Sequence, residues 1–489
     1  MKTVLALDIG SSAVRAALYD LRGRAVRASA ARREYAMRTA ADGTSETDAD
    51  GLIRVTERCL ADAAKAAPGE IIAAGVSTFW HGLVAADEEG RALTPLYLWS
   101  DTRAAEAAER LRSRPGAEAA RQRTGCPLHA SYWPAKLEWL RGERPDLWRR
   151  RTRWLSFGDL LFQRLFGRVG TSLSIASGTG LFTLEGAGWD NELLRALHVD
   201  AEALPPIAEV ERGLARRYRR AFPALADVPW FHAAGDGALA NLGSGCTSPR
   251  RRSVTIGTSA AVRVMHRAPI RAPVPAGLWR YRLDARRLVT GAALSSGGNV
   301  RDWVVRTLGL DDGALEKDLR RRPPGGHGLT ALPHIAGERS PGYAAHAFGA
   351  VAGLTLATTA MDVARAAIEA VTIEVARVNR LLDAAAPRAA VLVASGGALL
   401  ESPGWMQMLA DATHTPVAAG RAREASLRGA ALFALERLGL AESAQLDPGA
   451  SRTFRPRRGT APAFADAEAR QVALYRALIS KPGEVDGPA

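Results

Sequence analysis

The sequence predicts an α/β protein folded as two similar lobes, and three observations carry that prediction. At 489 residues the chain exceeds what one ordinary core fills, so two domains are expected. A strand, small-residue turn and strand over residues 4–18 recur over residues 253–265, which suggests an internal duplication. Helical periodicities follow each of these hairpins, so both halves mix strands with helices. The boundary is expected near Gly245, giving lobes of residues 1–245 and 246–489.

Each element follows from its local pattern. Residues 4–9 form an apolar run that ends in Gly10, Ser11 and Ser12, and a second run follows at 14–18; small residues between two strands signal a hairpin. A further strand fits 71–76, and helices fit 50–67, 102–114, 134–140 and 154–166. Residues 205–229 are rich in Pro, Arg and Ala without long periodicity, and the Gly-dense stretch 234–245 comes next. The second hairpin has strands at 253–256 and 260–265 around Gly257, Thr258 and Ser259. After it come a long helix at 359–382, a strand at 390–394 and a turn at Ser395, Gly396 and Gly397. Helices at 405–412 and 466–478 complete the chain.

Composition narrows the function classes. Apolar residues at 47% and charged residues at 24% describe a globular protein, and no run approaches the length of a membrane helix. The N-terminal apolar run contains Asp8 and lacks a small-residue cleavage site, so it reads as a buried strand of a cytoplasmic protein. Cys59, Cys126 and Cys246 are isolated and odd in number, matching neither a disulfide framework nor a zinc pattern; they read as core thiols. The net charge of +14 comes almost wholly from Arg, since only five of 65 basic residues are Lys. Clusters at 216–220, 250–252 and 320–322 resemble no nucleic-acid module and read as solvated faces. A positive field would still attract anionic ligands.

The two hairpin turns have chemical uses. Small residues let backbone N–H groups and short hydroxyls approach phosphate oxygens, and two such turns facing one another would clamp a phosphate chain. Asp8, at the strand end before the first turn, could hold Mg²⁺, which needs few protein carboxylates when phosphates share it. Taken alone, that first turn is also compatible with an ordinary hairpin. A third small-residue turn around Gly396, Gly397 and Ala398 could let a flat base lie against backbone. Asp236, between Gly235 and Gly237, reads either as a plain Asp-Gly turn or as an accessible general base. Trp80 and His81 follow a strand, while Trp99, Asp101 and Arg103 open a helix. Both groups could stack on and grip a polyol, although Asp101 could equally cap its helix.

In this order the motifs resemble the FGGY family of carbohydrate kinases over almost the whole chain. LALDIGSSAVRAALYD is similar to its first phosphate motif, AAGDGALANLGSG to its catalytic-Asp motif, and VTIGTSAAVRV to its second phosphate motif. VASGGALLESPGWMQMLAD is similar to the adenosine motif, and PAKLEWL to part of the first signature. The resemblance implies two actin-like, RNase H-like lobes, each a mixed sheet flanked by helices, with a cleft between them that closes on substrate. It implies ATP and Mg²⁺, with Asp236 as base and Asp8 on the metal. Gly10, Ser11, Ser12, Gly257, Thr258 and Ser259 would then lie at the phosphates, with Gly396, Gly397 and Ala398 beside the nucleotide.

Within the family, STFWHGLVAADEEGRALTPLYLWSDTRA, TGCPLHASYWPAKLEWL and GAALSSGGNVRDWV look most like gluconokinases. That implies substrate contacts from Trp80, His81, Trp99, Asp101, Arg103 and Asp236, with Asn299 nearby. The expected reaction is phosphorylation of D-gluconate to 6-phosphogluconate, with xylulose as the alternative sugar. An actin-like ATPase without a sugar substrate, or a degenerate sugar-sensing kinase, are the readings from other classes. The expected partner is a small sugar or sugar acid, without nucleic acid or membrane; a homodimer is compatible with the sequence. Where the family carries an acidic residue and then Arg after Gly337, Glu338, Arg339, Ser340 and Pro341, this chain has His346 and Phe348, a departure that bears on lobe packing. Ala260 also stands where a glycine is usual.

Overall fold

The computed structural model describes residues 1–267 and 272–480. The first half supplies strands β1 (Lys2–Ile9), β2 (Ala13–Tyr19), β3 (Ala31–Glu34), β4 (Glu70–Thr78), β5 (Val210–Glu211) and β6 (Trp230–Gly235). They form one sheet in the order β5-β6-β4-β1-β2-β3. β1, β4 and β6 run parallel and the others antiparallel. β1 is apolar and buried from Thr3 onward, as a strand covered on both faces must be.

The second half repeats the plan. Its strands are β7 (Arg251–Ile256), β8 (Ala260–Arg267), β9 (Trp279–Arg282) and β10 (Arg287–Leu294), followed by a separate hairpin of β11 (Thr330–Pro333) and β12 (Gly349–Ala352). β13 (Val391–Ser395), β14 (Val417–Gly420) and β15 (Ala450–Phe454) complete a sheet ordered β9-β10-β8-β7-β13-β14-β15. The β7–β8 hairpin with parallel β13 beside it reproduces β1–β2 with parallel β4. Two mixed sheets flanked by helices are the architecture the sequence predicts.

The helices used below are α1 (Ala49–Lys65), α2 (Trp133–Glu143), α3 (Phe157–Phe166), α4 (Asp236–Gly243) and α5 (Gly298–Leu308), then α6 (Ala360–Leu381), α7 (Pro403–Thr413), α8 (Ala425–Arg437) and α9 (Ala461–Leu478). α6 begins where Thr359 and Asp362 exchange side-chain and backbone bonds, a capping box that fixes its start. Ser156 and Asp159 do the same for α3, so the helix expected from residue 154 begins at Phe157; Trp154 belongs to a short strand, Arg153–Leu155. The helix expected over 102–114 is Ala105–Arg112 with Ala104 at its cap, so Asp101 does not cap it. The Gly-dense stretch 234–245 contains helix α4, which starts at Asp236, so Asp236 and Gly237 do not form a plain turn. All three cysteines are buried and free. One basic cluster departs from a solvated face: Arg252 is wholly buried, bonded to Asn379 and Asp383.

The halves interlock at helix α8, which comes from the second half yet packs beneath the first sheet, sharing its apolar core with β1, β4 and α4. Glycines permit this. A Cβ at Gly429 would overlap the carbonyl of Leu239 in α4, one at Gly243 the carbonyl of Ala425, and one at Gly75 in β4 the carbonyl of Ala430. No side chain separates the backbones. A second core, built on β7, β13, α6 and α7, stabilises the other sheet, and a third fills the insert between residues 83 and 204.

Gly429→Ala should therefore lower stability by about 1–3 kcal/mol through overpacking, read as a fall in thermal midpoint. Gly142→Ala in α2 faces open space and should instead raise stability by about 0.5 kcal/mol.

Candidate active site

The carboxyl ends of the parallel strands β1, β4 and β6 lie side by side, as ligand-binding ends of α/β sheets do. Asp8 on β1 stands in register with Ser77 on β4 and Arg15 on β2. The Ser77 hydroxyl donates to Asp8 Oδ1 at 2.6 Å, Ser426 of α8 donates to Oδ2 at 3.3 Å, and Arg15 Nη1 lies 3.9 Å from Oδ2. Burial lifts the Asp8 pKa to about 6 against the Ser77 bond, and the nearby charge of Asp236 adds to the lift.

Asp236 is the first residue of α4, directly after β6. Its Oδ1 accepts the Gly237 N–H at 2.7 Å, while among the described residues its Oδ2 takes no bond. The free oxygen is the one available to a ligand hydroxyl. Burial raises its pKa, opposed first by Arg263, then by the Gly237 bond and by Arg339. The helix N-terminus also favours its anion.

Trp80 explains the glycines around Asp236. A Cβ on Gly235 or on Gly178 would overlap the indole, and one on Gly237 would lie 2.7 Å from its Cζ3. The indole N–H donates to Ser174 O at 3.0 Å, and the ring meets Tyr281 edge-on at 4.9 Å. His81 beside it has a left-handed backbone, φ 68°. Its Nδ1 lies 2.6 Å from the Gly178 carbonyl; a carbonyl only accepts, so Nδ1 carries the proton and Nε2 is an acceptor. Burial, with Arg339 next in effect, lowers the His81 pKa and keeps the ring neutral. Lys136 of α2 holds this wall by donating to His81 O and Leu98 O, both at 2.8 Å. Burial pushes its pKa down to about 7.

Trp99 reaches the first hairpin, its N–H donating to Ser11 Oγ at 3.0 Å. Ser12 is exposed at the tip, and Gly10 is anchored by its carbonyl to the Tyr35 hydroxyl. Asp101 and Arg103, by contrast, neutralise one another: Arg103 Nη2 lies 2.5 Å from Asp101 and 2.6 Å from Glu46, and Asp101 also accepts the Ser45 N–H. The Arg103 guanidinium lies over the rings of Tyr97 and Trp139.

In the second lobe three turns meet backbone to backbone. Gly298 N donates to Gly257 O at 2.7 Å and Asn299 N to Thr258 O at 3.0 Å. Gly396 has φ 90°, and a Cβ there would overlap the carbonyl of Ile256; one on Gly298 would lie 2.7 Å from the Ala398 Cβ. The result is a side-chain-free cradle with Thr258 and Gly397 exposed and Ser259 partly so. Such a cradle fits a nucleotide. Asn299 serves this turn, since its Oδ1 accepts from Gly297 and Val300 and its Nδ2 donates to Ser295 O. Among the described residues no cluster of His, Cys, Asp or Glu could hold a metal unaided. Asp8 alone, completed by phosphate oxygens and water, fits Mg²⁺.

Groups missed in the sequence come mostly from the second lobe. Arg339, on the loop between β11 and β12, lies 4.8 Å over the Trp99 ring, and no carboxylate pairs with it among the described residues. Arg263 of β8 is likewise without a carboxylate partner there; it bonds Thr255 Oγ1 at 3.1 Å and Asn241 Oδ1 at 3.4 Å, next to Asp236. Tyr132 and Tyr281 join the lobes through their hydroxyls, 2.5 Å apart. A visible signal existed for Lys136 alone, as a lysine in a chain nearly devoid of them.

Comparison with known proteins gives matches along the chain. The N-terminal domain of the FGGY family of carbohydrate kinases matches residues 3–243, and its C-terminal domain residues 253–436. Gluconokinase from Bacillus subtilis is 26% identical over 90% of this chain and 88% of the relative. Xylulose kinase from Staphylococcus xylosus is 25% identical over 89% and 90%. The crystal structure of gluconate kinase from Lactobacillus acidophilus superimposes with a TM-score of 0.92 at 25% identity, covering 99% of each chain.

Gly235→Ala should expel Trp80 from its slot and raise the KM for the carbohydrate at least tenfold. If the cradle in the other lobe holds the nucleotide, the Kd for an ATP analogue should stay within about twofold by calorimetry, a difference under 0.5 kcal/mol.

Proposed function

The chain belongs to the FGGY family of carbohydrate kinases, and from that premise we propose that it phosphorylates D-gluconate at its primary hydroxyl, using ATP and releasing ADP. The observation that carries the chemistry is Asp236, half-exposed at a helix N-terminus with one oxygen free, between Trp80 and Asp8. Asp236 Oδ2 accepts the proton of the substrate hydroxyl as the hydroxyl oxygen bonds to the terminal phosphorus, and the bond from phosphorus to the ADP oxygen breaks in line. The hairpin turns at Gly10, Ser11 and Ser12 and at Gly257, Thr258 and Ser259 hold the phosphates by backbone N–H groups and hydroxyls. Asp8 would hold Mg²⁺, which supplies charge neutralisation at the phosphates. Trp80 supports the sugar by stacking, and His81 Nε2 accepts a hydroxyl proton in a hydrogen bond.

Arg339 supports a sugar acid over a neutral sugar. A guanidinium without a carboxylate partner, stacked on Trp99 in a substrate pocket, lacks a counter-ion that a carboxylate ligand would supply. The similarity to gluconokinase is in keeping with that, and the similarity to xylulose kinase makes xylulose the sugar to test against it. Among the described residues no helix is long and apolar enough to cross a membrane.

In a coupled ADP-release assay gluconate should turn over and xylulose should not; the reverse result would reject the substrate. Asp236→Asn should lose at least about 10³-fold in kcat, roughly 4 kcal/mol, while still binding an ATP analogue. Because burial raises the Asp236 pKa, and the base acts only when ionised, kcat/KM should fall with decreasing pH along a limb that lies above the ordinary carboxylate range. Arg339→Gln should raise the KM for gluconate by about tenfold or more, roughly 1.4 kcal/mol, with kcat little changed.

A further inference from the structure

Resting on the reading of Arg339 as the partner of the substrate carboxylate, we propose that Glu338 is a positioning residue that clamps the Arg339 loop onto α9, the last helix of the chain. The two neighbours engage opposite partners. Arg339 lies 4.8 Å over Trp99 of the first lobe, while Glu338 Oε2 accepts the hydroxyl of Tyr475 on α9 at 2.6 Å. The same carboxylate closes the loop on itself. Its Oε1 accepts the Gly342 N–H at 3.1 Å, and Oε2 also accepts the Ala344 N–H at 3.4 Å.

Glu338 is 6% exposed, and burial raises its pKa against those three bonds. A buried carboxylate is costly unless it is hydrogen-bonded, and every printed bond that Glu338 accepts comes from its own loop or from α9. Gly342 leaves the room it needs. A Cβ there would overlap Glu338 Oε2 and lie 2.6 Å from the Tyr475 hydroxyl.

The loop needs such a clamp. Tyr343 has a left-handed backbone, φ 54°, which a bulky residue keeps only where its surroundings hold it. Its N–H donates to Arg339 O at 2.6 Å, its hydroxyl lies 2.8 Å from Ser340 Oγ, and Arg112 donates to its carbonyl at 3.4 Å. Ser340 N donates to Ala293 O of β10 at 3.1 Å. The Arg339 backbone is therefore fastened on both sides, to α9 through Glu338 and to β10 through Ser340. His346 adds a second strap to the end of α9, its Nε2 3.0 Å from Ile479 O. A guanidinium on a fastened backbone loses less freedom when it meets a ligand. Tyr475, far from the pocket in sequence, thereby reaches the sugar through two residues.

Glu338→Gln keeps the shape but sets an amide N–H₂ where a backbone N–H now finds an acceptor, and Tyr475→Phe removes the phenol oxygen alone. In hydrogen exchange of the full chain, read by mass spectrometry, the peptide carrying Gly342 and Ala344 should exchange about fivefold faster in Glu338→Gln. Both variants should raise the KM for gluconate about fivefold, with kcat and the Kd for an ATP analogue within about twofold. Added to Arg339→Gln, Glu338→Gln should change KM by no more than about twofold, because it acts through that guanidinium. Unchanged exchange would overturn the proposal. So would an unchanged KM beside an Arg339→Gln that raises it, or effects that multiply in the double variant. An Arg339→Gln enzyme with an unaltered KM would instead reject the carboxylate reading, and the exchange rates alone would then decide whether Glu338 holds the loop.

Discussion

The crossing of α4 and α8 without side chains between them is the constraint on which the rest of the molecule depends. Asp236 starts α4, and Ser426, in the first turn of α8, donates to Asp8. Because Gly243 and Gly429 let these backbones touch, both helix N-termini converge under one cleft although they come from different halves. A methyl group at either glycine would push the two helices apart, and with them Asp236 and the Ser426 partner of Asp8. Fixed positioning is what an in-line transfer requires.

Electrostatics follow the same economy of contact. Many of the arginines pair locally with Asp or Glu on the surface, where such pairs contribute little. Around the cleft the pattern inverts. Arg263 and Arg339 have no carboxylate partner among the described residues, while the buried Asp8 and the half-exposed Asp236 lie near one another with raised pKa values. The cleft therefore holds two carboxylates near one another and two guanidiniums that are not matched to carboxylates in local pairs.

Much of this was legible in the sequence because local chemistry encodes it. The turns at Gly10 and Gly257 need small residues wherever they occur, and the strands around them alternate or bury as strands must. Asp236 was legible as a carboxylate between glycines, but the reason for the glycines was not. They clear space for Trp80, more than 150 positions earlier, and no periodicity reports a contact between a strand end and a distant indole. Asn299 and Asp101 show the converse. Both are polar residues beside the cleft whose atoms are used by their own turns, a distinction that spacing alone does not carry. Arg339 was hidden because its loop enters the pocket from the opposite lobe.

The slot that holds Trp80 also bears on how such a protein changes over generations. Gly178, Gly235 and Gly237 all border the same indole beside Asp236, so no larger residue fits at any of them without displacing that ring. His129, Tyr343 and Arg339, carried on loops from both halves, lie outside that slot, although the Arg339 charge acts on Asp236 and His81. Side-chain exchange is therefore tightly limited around the indole and less so on those loops, which tolerate substitution more readily than packed elements do.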